Sequence, residues 1–314
     1  MQNTTHAPGP AARQEARSRA MANRAMALLD RAPPLFLRRQ EPKIYGRVGD
    51  LEVRLAVTRA EIKLAQRLRF QVFYEEMSAV PSRLAQFRRR DEDAYDAFCD
   101  HLLVVDMSAG RSRLDQPKVV GTYRVLRQDI AERRLGFYTA GEYDITPLMD
   151  SKPGYRFMEL GRSCVLPPYR NKRTVELLWH GLWTYVREHH IDVMLGCASF
   201  EGTDPKAHAM ALSFLHHFAA APPEWQCRAH DKLHVSMNLM PKEQVDAKAA
   251  LKVIPPLIKG YLRLGACVGD GAVIDRQFGT TDVLVVLPVE RIDPRYFDHY
   301  GAPTEKKSRI AVDA

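Results

Sequence analysis

Ile62, Ala65, Leu68, Val72 and Phe73 recur at three- and four-residue spacing through EIKLAQRLRFQVFYEEM (61–77), which predicts a helix with one apolar face. The pattern then changes to β-branched runs. LLVVDM (102–107) and VVGTYRVLR (119–127), joined by a polar segment containing Gly110 and Pro117, predict an antiparallel hairpin. YRFMELGRSCVL (155–166) predicts a further strand. An amphipathic helix over 174–190, a strand DVMLGCASF (192–200) and a helix from about Pro205 to Phe218 follow. KLHVSMNL (232–239) alternates as a strand does, and PPLIKGYLRLG (255–265) reads as a short helix. Strands are expected at GAVIDR and DVLVVLPV. The order helix, two antiparallel strands, then strand–helix–strand–helix predicts an α+β fold, with a mixed, mostly antiparallel sheet flanked by helices and one parallel strand pair. Where a strand–helix–strand unit opens, free backbone N–H groups and the helix dipole form a place for a phosphate.

Length and composition narrow the classes. The chain has 314 residues, 46% of them hydrophobic, enough for one large domain. No apolar run approaches the roughly 20 residues that span a bilayer, and the first residues lack the apolar core of a secretion signal. Cys99, Cys164, Cys197, Cys227 and Cys267 are scattered without a CxxC pair, which points to a reducing, cytoplasmic setting and away from a structural metal or disulfide framework. The net charge of +8 is uneven: residues 1–43 hold eight Arg or Lys against three acids. The rest of the chain is therefore nearly balanced. Neither the charge nor any zinc-finger or RNP-like motif calls for nucleic acid. The organisation expected is a basic N-terminal extension (1–43), one folded domain (44–301) and a flexible tail (302–314). Within the extension, Arg13, Arg17, Arg24 and Arg31 fall in a helical stripe about 40° wide opposite small apolar residues. That suits either an interfacial helix on an anionic membrane surface through residues 10–39, peripheral on the inner membrane, or a loosely ordered leader.

One segment is chemically odd. In ELGRSCVLPPYRNKRTVELLWHGLW (159–183), Arg170, Lys172 and Arg173 crowd a predicted helix start. The positive end of a helix dipole normally repels cations by up to about 1 kcal/mol each, so an anion is expected among them. Strand, cationic turn, helix and second strand resemble the acyl-donor core of the GNAT acyltransferase superfamily. That superfamily's R-x-x-G-x-G/A turn keeps its arginine here (Arg170) but has neither glycine in Arg170-Asn171-Lys172-Arg173-Thr174-Val175. Loss of the glycines that wrap a diphosphate favours a donor with a single phosphate, the prosthetic arm of acyl carrier protein, over coenzyme A. With LRFQVFYEEM, DAFCDHLLVVD, VVGTYRVLR, LGCASFEGTDP and PPLIKGYLRLGA added, the stretch from about Leu51 to Tyr300 resembles the ornithine lipid N-acyltransferases, relatives of the acyl-homoserine lactone synthases.

The resemblance implies a GNAT-like fold, no bound cofactor or metal, and two partners, acyl carrier protein and L-ornithine. It implies transfer of a 3-hydroxyacyl group from the carrier thioester to the ornithine α-amine, giving lyso-ornithine lipid. It also carries over substrate-site residues: Arg69 and Phe73 on the first helix, Asp96 and Asp100 before the first core strand (spaced four apart rather than three), Arg124, Glu159 and Arg162. Arg170, Asn171, Lys172 and Arg173 are the expected phosphate ligands. The chemistry assigns roles. The α-ammonium must lose a proton before its nitrogen attacks, so a carboxylate base is needed, and Glu159 is the candidate. Arg124 or Arg162 suits the ornithine carboxylate, and Asp100 its distal ammonium. A regular strand would point Glu159 and Arg162 to opposite faces, so either a bulge re-aims one or Arg162 supports the core from behind. Gly161-Arg-Ser163 lacks the second glycine of a nucleophile elbow, which argues against a serine hydrolase. His189–His190 and His216–His217 read as boundary residues, His101 as a partner of Asp100 or a strand-edge histidine, and Leu178, Trp179 and Leu182 as core or acyl-chain lining. Rival readings are another amino acid acceptor (lysine, glutamine or glycine), an acyl-homoserine lactone synthase, and a non-catalytic acyl- or lipid-binding protein.

Overall fold

The computed structural model describes residues 42–77, 79–108, 118–293 and 296. The expectations for residues 10–39 and for the tail from 302 lie outside the described residues. Among the described residues ten strands join in the order β1-β2-β3-β4-β6-β7-β10-β9-β8-β5. They are β1 (Ile44–Val48), β2 (Leu51–Leu55), β3 (Asp100–Asp106), β4 (Lys118–Arg127), β5 (Tyr143–Asp144), β6 (Phe157–Val165), β7 (Val193–Glu201), β8 (Arg228–Ala229), β9 (Cys267–Asp275) and β10 (Thr280–Pro288). The helices used below are α1 (Arg59–Phe70), α2 (Arg83–Arg88), α3 (Lys172–Glu188), α4 (Ala209–Phe218), α5 (Ala247–Val253) and α6 (Pro256–Arg263). The α+β expectation holds, with the predicted β3–β4 hairpin antiparallel and β6–β7 parallel. A second parallel contact, β8–β9, occurs through one residue pair.

Local chemistry places the two central helices. Thr58 and Glu61 form a reciprocal capping box at the start of α1, and Glu61 also binds Arg54 at 2.6 Å. At α3, Asn171 caps the helix by accepting from the Thr174 N–H at 3.1 Å. The period of two along the strands then sorts side chains between these helices. Leu102 and Val53 pack on α3 at Gly181, where a Cβ would lie 2.5 Å from Val53 Cγ2, so only glycine lets the helix this close. The intervening positions, His101 and Arg124, face the α1 side. Leu178, Trp179 and Leu182 are buried core.

Two irregularities shape the sheet centre. β6 and β7 pair only through Phe157–Val193, Met158–Met194 and Glu159–Leu195, although β6 continues to Val165 and β7 to Glu201. Beyond Glu159 the strands part, leaving a V-shaped gap in the middle of the sheet. At its crotch a Cβ on Gly196 would lie 2.2 Å from the Leu160 carbonyl oxygen, so no other residue allows the approach. On the other edge of β6, Arg124 pairs with Gly161 and Thr122 with Cys164, so Arg162 and Ser163 together oppose Tyr123. This is a bulge, and Arg162 occupies the left-handed region with φ 50°.

Two details differ from the sequence expectations. The segment 232–239 is not a strand: the Leu233 and His234 N–H groups turn back to His230 O, leaving a single bridge from Val235 to Ala272. The first helix widens into π turns over Gln71–Glu76, closed by Met77 N–H to Val72 O at 3.0 Å. Among the described residues the first regular element is β1, where Ile44–Val48 finds its ladder partners in β2.

Candidate active site

The α1 side of the sheet carries a buried lattice of charge. Arg69 is fully buried, with its guanidinium 2.8 Å from Asp96 Oδ2 and 2.8 Å from Asp91 Oδ2. Asp96 also accepts from Gln66 at 2.9 Å and from Arg124 at 3.1 Å, while Arg124 reaches Asp93 at 2.6 Å. Burial alone would raise the Asp96 and Asp93 carboxyls; the guanidiniums beside them reverse this and hold both below the usual aspartate range. Arg69, Asp96 and Arg124, three residues singled out from the sequence, thus come together, and with Asp91, Asp93 and Arg162 they make a balanced set of three guanidiniums and three carboxylates.

The bulge resolves the facing of Glu159 and Arg162. Both contact the 138–139 segment. Glu159 accepts from the Tyr138 N–H at 2.8 Å, the Thr139 N–H at 2.6 Å and the Thr139 hydroxyl. The Arg162 guanidinium lies 5.0 Å from the Tyr138 ring centroid and 4.5 Å from that of Phe278. It also sits 3.3 Å from both Asp91 and Asp93. Burial pushes the Glu159 carboxyl above the ordinary glutamate range, and the hydrogen bonds from Thr139 and Tyr138 offset this only partly. Oε1 takes two of the three bonds and Oε2 one, so a carboxylate with about four acceptor positions keeps one, on Oε2. Glu159 stands at the crotch of the V, on the last ladder pair before the strands part. Phe73, presented by the π turns, meets Phe278 edge-on at 5.9 Å.

Asp100 is not part of this group. It lies on the α3 side of the sheet, where Tyr185 donates to it at 2.6 Å. Its neighbour His101 faces the other way, with Nε2 3.2 Å from the Asp96 carbonyl oxygen, so it does not partner Asp100. The two histidine pairs are partly buried or exposed boundary residues, as expected.

At the mouth of the V, α3 begins in the cationic turn. Its charge is partly answered within the chain. Arg170 forms a bidentate pair with Glu76, the NH2–Oε2 distance being 2.7 Å, and its Nε donates to Val165 O at 2.9 Å. Lys172 is 3.5 Å from Glu176, and Arg173 covers Gly49 in the β1–β2 turn. All three cations remain exposed.

Residues 68–180 match the acetyltransferase (GNAT) domain family. An L-ornithine N(alpha)-acyltransferase of Brucella abortus is 53% identical over 281 residues, covering 90% of this chain and 99% of that protein. One of Rhizobium meliloti is 56% identical over 259 residues, covering 82% and 87%. The chain belongs to the L-ornithine N(alpha)-acyltransferase family. An N-acyl amino acid synthase from uncultured soil microbes, FeeM, is a distant structural neighbour, 11% identical with a TM-score of 0.43 over 80% of this chain and 93% of that one.

In this acyltransferase the sequence reading overlooked a second acidic group beside Arg162. Glu142, Asp275 and Asp282 bring carboxylate oxygens within 4.8 Å of one another. Burial pushes Glu142 up to about 7, helped by the neighbouring Asp282 carboxylate, and pushes Asp282 up to about 6. One signal was available: Asp282 is a lone acid in TTDVLVVLP, a strand buried from end to end. Nothing local linked it to Glu142, which is 140 positions earlier.

Proposed function

We propose that this enzyme transfers a 3-hydroxyacyl group from acyl carrier protein to the α-amine of L-ornithine, releasing lyso-ornithine lipid and the free carrier thiol. The observation that carries the reading is the 53–56% identity to L-ornithine N(alpha)-acyltransferases over most of the chain. The V between β6 and β7 supports it, because an extended pantetheine arm can lay its amides along strand edges that have lost their ladder partners. The single phosphate of that arm then approaches the exposed cations at the start of α3. Arg162, on the edge of the buried lattice, suits the ornithine carboxylate. Glu159 accepts a proton from the α-ammonium, directly or through water, at its remaining Oε2 position. The neutral nitrogen attacks the thioester carbonyl carbon; the C–N bond forms, the C–S bond breaks, and the second proton the nitrogen loses is taken up by the departing thiolate.

The test is acceptor-dependent thiol release from 3-hydroxyacyl carrier protein and from 3-hydroxyacyl-coenzyme A, each with ornithine, lysine, glutamine and glycine. Ornithine with the carrier-protein donor should be the best pair. Higher kcat/KM with coenzyme A overturns the donor, preference for another amino acid overturns the acceptor, and binding without turnover favours a lipid-binding role. No helix among the described residues is long and apolar enough to cross a membrane. We propose peripheral contact through the basic segment 10–39; co-sedimentation with anionic vesicles should weaken when residues 1–41 are deleted, and equal sedimentation of both forms refutes it.

A further inference from the structure

Two acidic groups adjoin Arg162, and they differ in one respect. Asp91, Asp93 and Asp96 are matched by Arg69, Arg124 and Arg162. Glu142, Asp275 and Asp282 take part in none of the ion pairs among the described residues. Three carboxylates therefore converge without a cation of their own.

Their hydrogen bonding is also incomplete. Asp282 is 6% exposed, yet its Oδ1 has no hydrogen-bond partner. Glu142 Oε2 is buried and without a partner too. The Thr280 and Ser199 hydroxyls face Asp282 and the Cys197 thiol faces Glu142, but the Thr280 hydroxyl, on a residue 3% exposed, falls short of hydrogen-bond geometry. A buried, unpartnered polar atom costs roughly 1–3 kcal/mol, and more when charged. Asp275 alone is anchored, accepting from the Gln277 and Phe278 N–H groups at 2.7 and 2.9 Å. The group is reachable, since Glu142 and Asp275 are half-buried and Ser199, opposite Asp282 on β7, is exposed.

We propose that Glu142, Asp275 and Asp282 form the subsite for the side-chain ammonium of a diamino acid acceptor, and so determine both its selection and which of its two amines reacts. The inference rests on the ornithine reading above and deepens it. A primary ammonium offers three N–H donors, and acceptors about 2.8 Å from its nitrogen stand about 4.6 Å apart, which matches the spread of these oxygens. Three carboxylates also raise the pKa of any amine among them. This is the wrong environment for the amine that must lose its proton and attack, and the right one for the amine that must stay charged. Arg162, next to the group, fixes the α-carboxylate at the other end of the acceptor, which leaves the α-amine toward Glu159.

Norleucine has the length of ornithine with a methyl in place of the ammonium, so the pair isolates the subsite. Wild-type enzyme should prefer ornithine in kcat/KM by about 10²–10⁴-fold. Asp282→Asn and Glu142→Gln should each shrink that ratio at least tenfold, mainly through the KM for ornithine, and acylated product should appear on the side-chain nitrogen. General damage to the fold lowers both acceptors together and leaves the ratio unchanged, so an unchanged ratio overturns the proposal. If neither variant folds, the wild-type ratio decides, and a value near one overturns it. If ornithine is not turned over at all, the functional reading fails, while thermal protection by ornithine but not norleucine still supports the subsite. Thermal protection by Mg²⁺, Mn²⁺ or Ca²⁺ without amino acid, together with loss of activity in chelator, makes the group a metal site and overturns it.

Discussion

Glu159→Gln separates holding from catalysis, because both demands fall on one carboxylate. The amide oxygen can replace Oε1 and keep the two bonds from Thr139. The amide NH₂ then faces the Tyr138 N–H, donor against donor, where Oε2 accepts at 2.8 Å. Leaving that pair unsatisfied costs about 1–3 kcal/mol, which in a domain of this size lowers Tm by about 2–12 °C. Loss of a general base lowers kcat by about 10²–10⁴-fold, or roughly 3–5 kcal/mol in the barrier. Calorimetry reads the first quantity, and thiol release under saturating ornithine, below the variant's Tm, reads the second. Because burial raises the Glu159 carboxyl, wild-type kcat should fall as pH drops through a limb lying above the ordinary glutamate range. The variant should lack that limb. A variant within a few-fold of wild-type kcat that keeps the acidic limb would falsify the base assignment, whatever happens to its Tm.

Asp96→Asn leaves the fully buried Arg69 with one carboxylate partner instead of two, and should cost about 3–5 kcal/mol by chemical denaturation at neutral pH. Since the Asp96 carboxyl is held low, its stabilisation is present above about pH 4 and lost on acidification, so wild type and variant should converge as pH falls; a constant gap refutes this. Glu142→Gln should behave in the opposite sense. Carrying Glu142 from 4.5 to about 7 corresponds to about 3 kcal/mol that wild type loses between those pH values, so the ligand-free variant should gain on wild type as pH rises, and parallel profiles refute it. Replacing Arg170, Lys172 and Arg173 with Ala should raise KM for carrier protein more than for ornithine, with an effect that shrinks in high salt; equal effects on both substrates indicate damage to the start of α3 instead.

Much of the fold was written in short-range patterns. Apolar spacing in 61–77, the β-branched runs of β3 and β4, and the strand–helix–strand of β6, α3 and β7 each depend on neighbours within a few residues, so period alone reveals them. The resemblance carried in 159–183 likewise drew attention to the cationic turn and to Glu159, whose roles are the proposals made above. Where alternation had no ladder to join, as at 232–239, the same rule misled. Tertiary structure decided which charges are free. Arg124 and Arg162 were equal candidates for a carboxylate until the fold held Arg124 at 2.6 and 3.1 Å from Asp93 and Asp96 and left Arg162 at the looser 3.3 Å from Asp91 and Asp93, and Asp100 looked like Asp96 until the strand period sent it to Tyr185 on the other face. The bulge at Arg162 needs two residues to oppose Tyr123, a condition set by pairing with β4 and invisible in β6 alone. The uncompensated group is the extreme case. Glu142, Asp275 and Asp282 are ordinary acids in sequence, and only the pairing of β10 with β9, with Tyr143 anchored to Gly271 O and Asp282 O, brings their like charges together at a partly buried place. Local propensity acts over a few residues, whereas the electrostatic cost of burying a charge depends on whatever the whole fold places around it.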